Sequence, residues 1–183
     1  MGAVKSKPGL LNRFNAAPAE IRAYFEHVPK LIADFPLDVC LSYVFAQVER
    51  AQNSILYCGV VKLHRADATL ARTAIDVHHM TRPEFKAKFE TVLGKAIPPA
   101  TSDLLAKAED ARDRVMHGKQ TTDEEKRNAV ASVLDYAEAI NQLVSSIAGF
   151  KPFGDLRGFK GAAQSLDKST TRWLLKGMGF TIA

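Results

Sequence analysis

Cysteine and tryptophan are scarce in this chain, and no apolar run is long enough to cross a bilayer. The two cysteines, Cys40 and Cys58, fall far apart within one helical pattern. They cannot bridge along a rigid helix, and two are too few for a disulfide scaffold or a zinc cluster. A reducing cytoplasm is therefore the expected compartment. No stretch approaches the roughly 20 consecutive apolar residues of a membrane span, and the N-terminus lacks the apolar segment of a secretory signal. Met1-Gly2-Ala3-Val4-Lys5-Ser6 fits the N-myristoylation pattern, which is too short and common to carry an argument. No segment alternates apolar and polar residues with a period of two, so strands are not expected. Gly154-Asp-Leu-Arg-Gly158 lacks the preceding strand and the following Lys-Ser/Thr of a phosphate loop. No Gly-x-Ser-x-Gly elbow or Cys–His pairing is evident. Asp76-Val-His78-His79 holds adjacent histidines, but on a helix they point roughly 100° apart, and no third ligand has suitable spacing. A helix-end or surface pair is expected there, with no metal and no cofactor. His27 and His64 are isolated.

What remains is a chain of 183 residues, 46% apolar and 25% charged, as in soluble globular proteins. That length suits one domain with a real core. A formal charge of +5 and a pI near 9.2 favour an acidic partner, nucleic acid before anionic membrane.

Helical spacing accounts for most of the chain. Residues 1–17 carry Lys, Gly, Pro and Asn without periodicity and are expected to form a flexible arm. Ile21, Tyr24, Phe25, Val28 and Leu31 or Ile32 predict a helix from Pro18 to about Ala33. Pro36 opens a longer pattern, Leu37, Leu41, Val44, Val48, Ala51, Ile55 and Cys58, which predicts a core helix ending near Leu63. Asp67 can cap a short helix carrying Leu70, Ala74 and Val77. Thr81-Arg-Pro-Glu84 is a capping box that opens a helix burying Phe85, Phe89 and Val92 and ending at Gly94. After Pro98-Pro99, Ser102 is expected to cap a helix with Leu104, Ala108, Ala111 and Val115 as its buried row. Thr122 with Glu125 forms another capping box, and Val130, Val133, Ala137, Ile140, Val144 and Ile147 follow at helical steps. The expected fold is all-α, an up-and-down helical bundle over residues 18–148, followed by an irregular glycine-rich tail over 149–183. Asp167 to Lys176, before Gly177, could form a short final helix.

The segment Glu109-Asp-Ala-Arg-Asp-Arg-Val-Met-His-Gly-Lys119 stands out at the end of the Ser102 helix. Arg112 lies seven residues after Leu105 and four before Met116, on the border of the apolar face. A guanidinium there is either paired with a carboxylate or aimed at an anion in a partly dry cleft. His117 is five residues on, which in a continuous helix would turn it roughly 140° away. The two can converge only if the helix ends at or before His117, and Gly118 suits the left-handed position after a helix end.

Arg112-Asp-Arg-Val-Met-His117 resembles the Arg-polar-x-x-x-His signature of HEPN domains. The context is similar too, since the motif closes one bundle helix and a long helix follows after a short polar loop. The resemblance covers about residues 37–148 and leaves out the arm and the tail. It implies a metal-independent endoribonuclease, often found in toxin–antitoxin or antiviral systems. It also implies a homodimer with the site at the two-fold interface, and an antitoxin or a nucleotidyltransferase as a further partner. His117 would transfer protons, Arg112 would bind and stabilise the phosphate, and Asp113 would orient Arg112 or the His117 of the other copy. Arg114 and Lys119 would hold neighbouring phosphates. Products would carry 2′,3′-cyclic phosphate and 5′-hydroxyl ends. Many HEPN members instead keep the bundle as a non-catalytic module that binds a nucleotide, RNA or a protein.

The plainer alternative is that the helix dipole favours both Arg112 and His117 near a C-terminus. Asp110 lies within one turn of Arg114, and Glu109 within one turn of Arg112, so both arginines could be solvated surface pairs. In the tail, Phe150, Phe153, Phe159 and Trp173 alternate with Arg157, Lys160, Arg172 and Lys176. They could dock the tail onto the bundle or contact single-stranded RNA, with docking favoured and both compatible.

Overall fold

The computed structural model describes residues 3–76 and 80–182, and every regular element among them is a helix. In chain order these are α1 Lys7–Ala16, α2 Ala19–Tyr24, α3 Val28–Asp34, α4 Leu37–Leu63, α5 Ala68–Asp76, α6 Arg82–Leu93, α7 Pro99–Met116, α8 Asp123–Ala148 and α9 Lys168–Gly177. None of these helices is long and apolar enough to cross a membrane. The adjacent His78 and His79, and Met1-Gly2 of the acylation pattern, lie outside the described residues.

The chain divides into two compact units rather than the single domain expected. The first comprises the residues up to Glu49, Pro98–Gln142 and Phe153–Asp155; the second comprises Arg50–Ile97, Leu143–Pro152 and the residues from Leu156 onward. The boundaries at Glu49 and Gln142 fall inside α4 and α8. Apolar periodicity runs unbroken through both helices, so spacing does not mark the division.

In the first unit, the segment expected to be a flexible arm is instead a helix tied to the core. The Ser6 hydroxyl accepts the Gly9 N–H, and Pro8 sits in the first turn, where its missing N–H costs nothing. Leu10 and Phe14, one turn apart, are buried, and α1 packs on α3. Arg13 pairs with the buried Asp135. The Val4 N–H donates to Asn128 Oδ1 at 2.8 Å, and Arg127 donates to the Val4 and Lys5 carbonyls at 2.9 Å each. With only two core positions, α1 shows no periodicity in sequence.

The single helix expected from Pro18 to Ala33 is two. α2 stops at Tyr24, and α3 restarts with Pro29 in its first turn. A proline at 29 in one continuous helix would clash with the Phe25 carbonyl and leave it without a donor. The predicted apolar positions Ile21, Phe25, Val28 and Ile32 are nonetheless all buried. α7 likewise begins at Pro99 rather than at Ser102, whose N–H already donates to the Pro98 carbonyl at 3.0 Å. Proline at the first helical position extends the helix by a turn.

One tail residue belongs to this core. Phe153 is fully buried, edge-on to Tyr24 and Tyr136 and stacked on Phe25 at 5.9 Å. The buried Asn141 side chain of α8 meets both its backbone groups: Nδ2 donates to the Phe153 carbonyl at 2.9 Å, and Oδ1 accepts the Phe153 N–H at 2.8 Å.

In the second unit, Asp67 caps α5 by accepting the Leu70 N–H at 3.0 Å. Thr81 and Glu84 close the box that opens α6, and Gly94 ends that helix in the left-handed conformation. Phe85, Phe89 and Val92 are buried as expected. Gly59 allows α4 and α6 to approach closely, since a Cβ there would fall 2.5 Å from Val92. α9 packs on α5 and begins after Asp167, whose carboxylate accepts the Thr170 N–H at 2.9 Å. Phe150, Leu175 and Phe180 are buried while Trp173 is not, so in this unit the tail docks through some of its aromatics and not others.

Asn141→Ala removes the hydrogen-bond partners of both backbone groups of the buried Phe153. At about 1–3 kcal/mol for each orphaned group, stability should fall by at least about 2 kcal/mol. The exposed Gln142→Ala should stay within about 0.5 kcal/mol of the parent. Chemical denaturation midpoints of both variants check this.

Candidate functional site

The candidate site is built on the end of α7. Met116 is its last helical residue, His117 the C-cap, and Gly118 follows at φ 65°. The Lys119 N–H donates to the Arg114 carbonyl at 2.8 Å, and the Gly118 N–H to the Val115 carbonyl at 3.1 Å. This is the paired closure of a Schellman turn. Nothing lies within 4 Å of where a Gly118 Cβ would sit, so glycine answers to backbone conformation and not to packing.

The stop falls where the spacing places it, and Arg112 is not among the residues that line the recess with His117. At φ −94° and ψ 14°, His117 stays close to helical geometry. Its side chain continues the face that carries Asp110, Asp113 and Arg114, at steps of three, four and seven. These four residues and Lys119 line an open surface recess of about 520 Å³. The recess holds two carboxylates, two cations and the imidazole.

Arg112 turns the other way. Its guanidinium lies 5.6 Å from the centre of the buried Phe45 ring of α4, and its Nη1 lies 3.2 Å from Asp113 Oδ1. An exposed ion pair contributes roughly 0.2–1 kcal/mol, whereas a cation over a partly desolvated ring contributes about 0.5–2 kcal/mol. The two contacts are therefore of similar size and together position the guanidinium. Asp113 is common to both features, since it lines the recess and also bonds Arg112. The Arg112 side chain keeps 36% of its surface, enough for one face of the guanidinium to meet an anion.

Arg114 is engaged. Its Nη1 donates to Glu125 Oε1 at 2.9 Å and its Nε to the Asp110 carbonyl at 3.3 Å, so its acidic partner is Glu125 and not the Asp110 carboxylate. The other oxygen of Glu125 accepts the Thr122 N–H at 2.7 Å, within the box that opens α8. The Thr122 backbone N–H above all, then its hydroxyl, then Arg114 hold the Glu125 carboxyl below its ordinary value. The loop from His117 to Thr122 is thereby tied at both ends. Lys119 is exposed beside it.

Arg157, Lys160 and Arg172 are exposed in the second unit, the first two before α9 and the third on it. Cys40 and Cys58 are free and buried on α4, and burial pushes their thiols up to about 12 and about 11, outside the nucleophilic range. Among the described residues no group of three His, Cys, Asp or Glu is placed to hold a metal ion. Of three further contributors, only Phe45 was not singled out from sequence. Asp110 was read as a possible partner of Arg114 one turn away, and Glu125 as the acid of a capping box. Phe45 carried no such signal, because it lies 67 residues before Arg112 in the chain.

Gly118→Ala should cost about 1–2 kcal/mol from left-handed strain alone, and Gly118→Asn less. Gly177→Ala, at a helical glycine with open space around it, should be near neutral; thermal melts rank the three. A folded pKa below the unfolded one stabilises the fold above the unfolded value, and the gain is lost as pH falls through the folded value. Glu125→Gln should therefore flatten the loss of Tm between roughly pH 5 and pH 3, around the ordinary glutamate value of about 4.3. Comparison with protein-family models, with curated proteins and with solved structures gives no match to this chain, so its site is read from its own geometry.

Proposed function

We propose that this chain is a metal-independent endoribonuclease of the HEPN type, acting as a homodimer in which two copies of the Arg112–His117 motif face one cleft. The observation that carries the proposal is the end of α7. The exposed His117 stands at the C-cap position and lines a recess with Asp113, and Asp113 bonds the partly exposed Arg112. In a single chain Arg112 lies by Phe45 and does not line the recess that His117 lines. A two-fold copy would let the Arg112 of one chain serve the His117 of the other.

RNA supplies its own nucleophile, so the enzyme has to move protons and hold charge. The imidazole of one copy accepts the proton of the 2′-hydroxyl, and its oxygen attacks the adjacent phosphorus. The bond from phosphorus to the 5′-oxygen breaks, and the imidazolium of the second copy donates a proton to that oxygen. An imidazole is the side chain suited to do either near neutral pH. Arg112 spreads its planar fork against the phosphoryl oxygens as charge grows on them. Products carry a 2′,3′-cyclic phosphate and a 5′-hydroxyl. Such chemistry suits a toxin–antitoxin or antiviral system with an antitoxin or nucleotidyltransferase partner. The ion pair of Arg114 with Glu125 and the seat of Arg112 on Phe45 favour a second reading, a HEPN module that binds a nucleotide, RNA or protein without turnover.

Incubation with mixed RNA in EDTA separates the two. The parent should cleave to cyclic-phosphate ends. His117→Ala should lose about 10²–10⁴-fold in rate and Arg112→Ala about 10²–10³-fold, with Arg112→Lys not restoring the parent rate, since a point charge lacks the fork. Equal inertness of parent and His117→Ala with RNA binding retained would establish the module instead. A requirement for a divalent ion would defeat the mechanism, and a monomer in sedimentation would defeat the two-fold site.

A further inference from the structure

α9 exposes a face that the docking of the tail does not use. Thr171 and Leu175 point into the second unit and are fully buried, with the Thr171 hydroxyl accepting the Asp67 N–H at 3.1 Å. Ser169, Arg172, Trp173 and Lys176, at steps of three, four and seven, form an exposed stripe. Trp173 keeps 77% of its surface, an unusual exposure for the largest apolar side chain. Residues 149–183 hold six Lys and Arg against two Asp, a net +4 of the chain's +5. One of those carboxylates, Asp167, is engaged at the N-cap of α9, away from Lys176.

We infer that this stripe is a binding platform for single-stranded RNA, with a base stacked on the Trp173 indole and the flanking phosphates held by Arg172 and Lys176. The inference deepens the ribonuclease proposal and rests on its choice of RNA as ligand. An indole between cations meets the two needs of a flexible strand, a π-face for a base and positive charge for its backbone. A duplex keeps its bases stacked inside and leaves no face for the indole. An anionic membrane surface is the competing partner, but an interfacial helix sinks a whole apolar face among the headgroups. In α9 the other leucines turn inward, Leu175 buried and Leu174 half-buried, which leaves one apolar side chain outside.

Trp173 is the only tryptophan of the chain, so its emission reports on the platform directly. The full chain carrying His117→Ala keeps the RNA intact during the measurement. Its emission should be quenched by a 12-nucleotide single-stranded RNA, less by a duplex of the same length, and left unshifted by phosphatidylserine vesicles. By anisotropy of labelled RNA, adding Trp173→Ala should weaken binding about tenfold, and Trp173→Phe should retain most of it. Removing Arg172 and Lys176 together should flatten the slope of log affinity against log salt by about 1.4. Unchanged affinity in Trp173→Ala, absence of quenching by RNA, or a blue shift on vesicles alone would each overturn the inference. Quenching by RNA together with an inert parent enzyme would leave the platform standing and sink the nuclease; cleavage by the parent without quenching would do the reverse.

Discussion

A single left-handed residue governs what the first unit can do. At Gly118 the chain leaves α7, and two backbone hydrogen bonds close the helix over that glycine. The closure sets His117 as a cap, exposed on a defined face, and sends the chain directly into the turn that Thr122 and Glu125 prepare for α8. Glu125 then reaches back to Arg114, so the helix that ends and the helix that begins hold each other. A helix continuing through residue 118 would remove the cap, the recess and the turn together. An alanine could occupy the space at that position but not adopt the conformation at equal cost.

The rest of the first unit depends on polar groups that could not be buried alone. Asp135 is met by Arg13, and Asn141 satisfies both the N–H and the carbonyl of Phe153. The first links α8 to a segment 122 residues away and the second to one 12 residues on, and each would be costly if half made. They explain why the N-terminus, which lacks helical periodicity, and Phe153 of the tail belong to this core. In the second unit Thr171 plays a comparable part, accepting an N–H at the start of α5 from within α9. Hydrophobic burial drives these segments inward, and the hydrogen bonds select where they stop.

Elements with local causes were legible in the sequence. The capping boxes at Thr81 and Thr122, the caps at Asp67 and Asp167, the left-handed glycines 94 and 118, and the long α4 all appear where residue chemistry places them. Where neighbouring signals conflict, a single spacing rule chose wrongly. Pro29 breaks a pattern whose apolar residues still share one core, and Pro98-Pro99 start α7 before the serine that could have capped it. The two-unit division was invisible for a related reason: periodicity reports which face of a helix is buried and not what it is buried against.

At the site, local chemistry was enough to settle the helix end, the presence of arginine, acid and histidine around it, and the need for the helix to stop before the imidazole. Those follow from dihedral preference and spacing within a dozen residues. Arg112 lies between its neighbour Asp113 and Phe45 on α4, and the second of these comes near only when the chain folds. Whether a tail aromatic faces the core or the solvent was decided in the same manner, by Asn141 at Phe153 and by the orientation of α9 at Trp173. Short-range conformational energy is written in neighbouring residues, whereas the direction of a long side chain is set by contacts that exist only once distant segments have met.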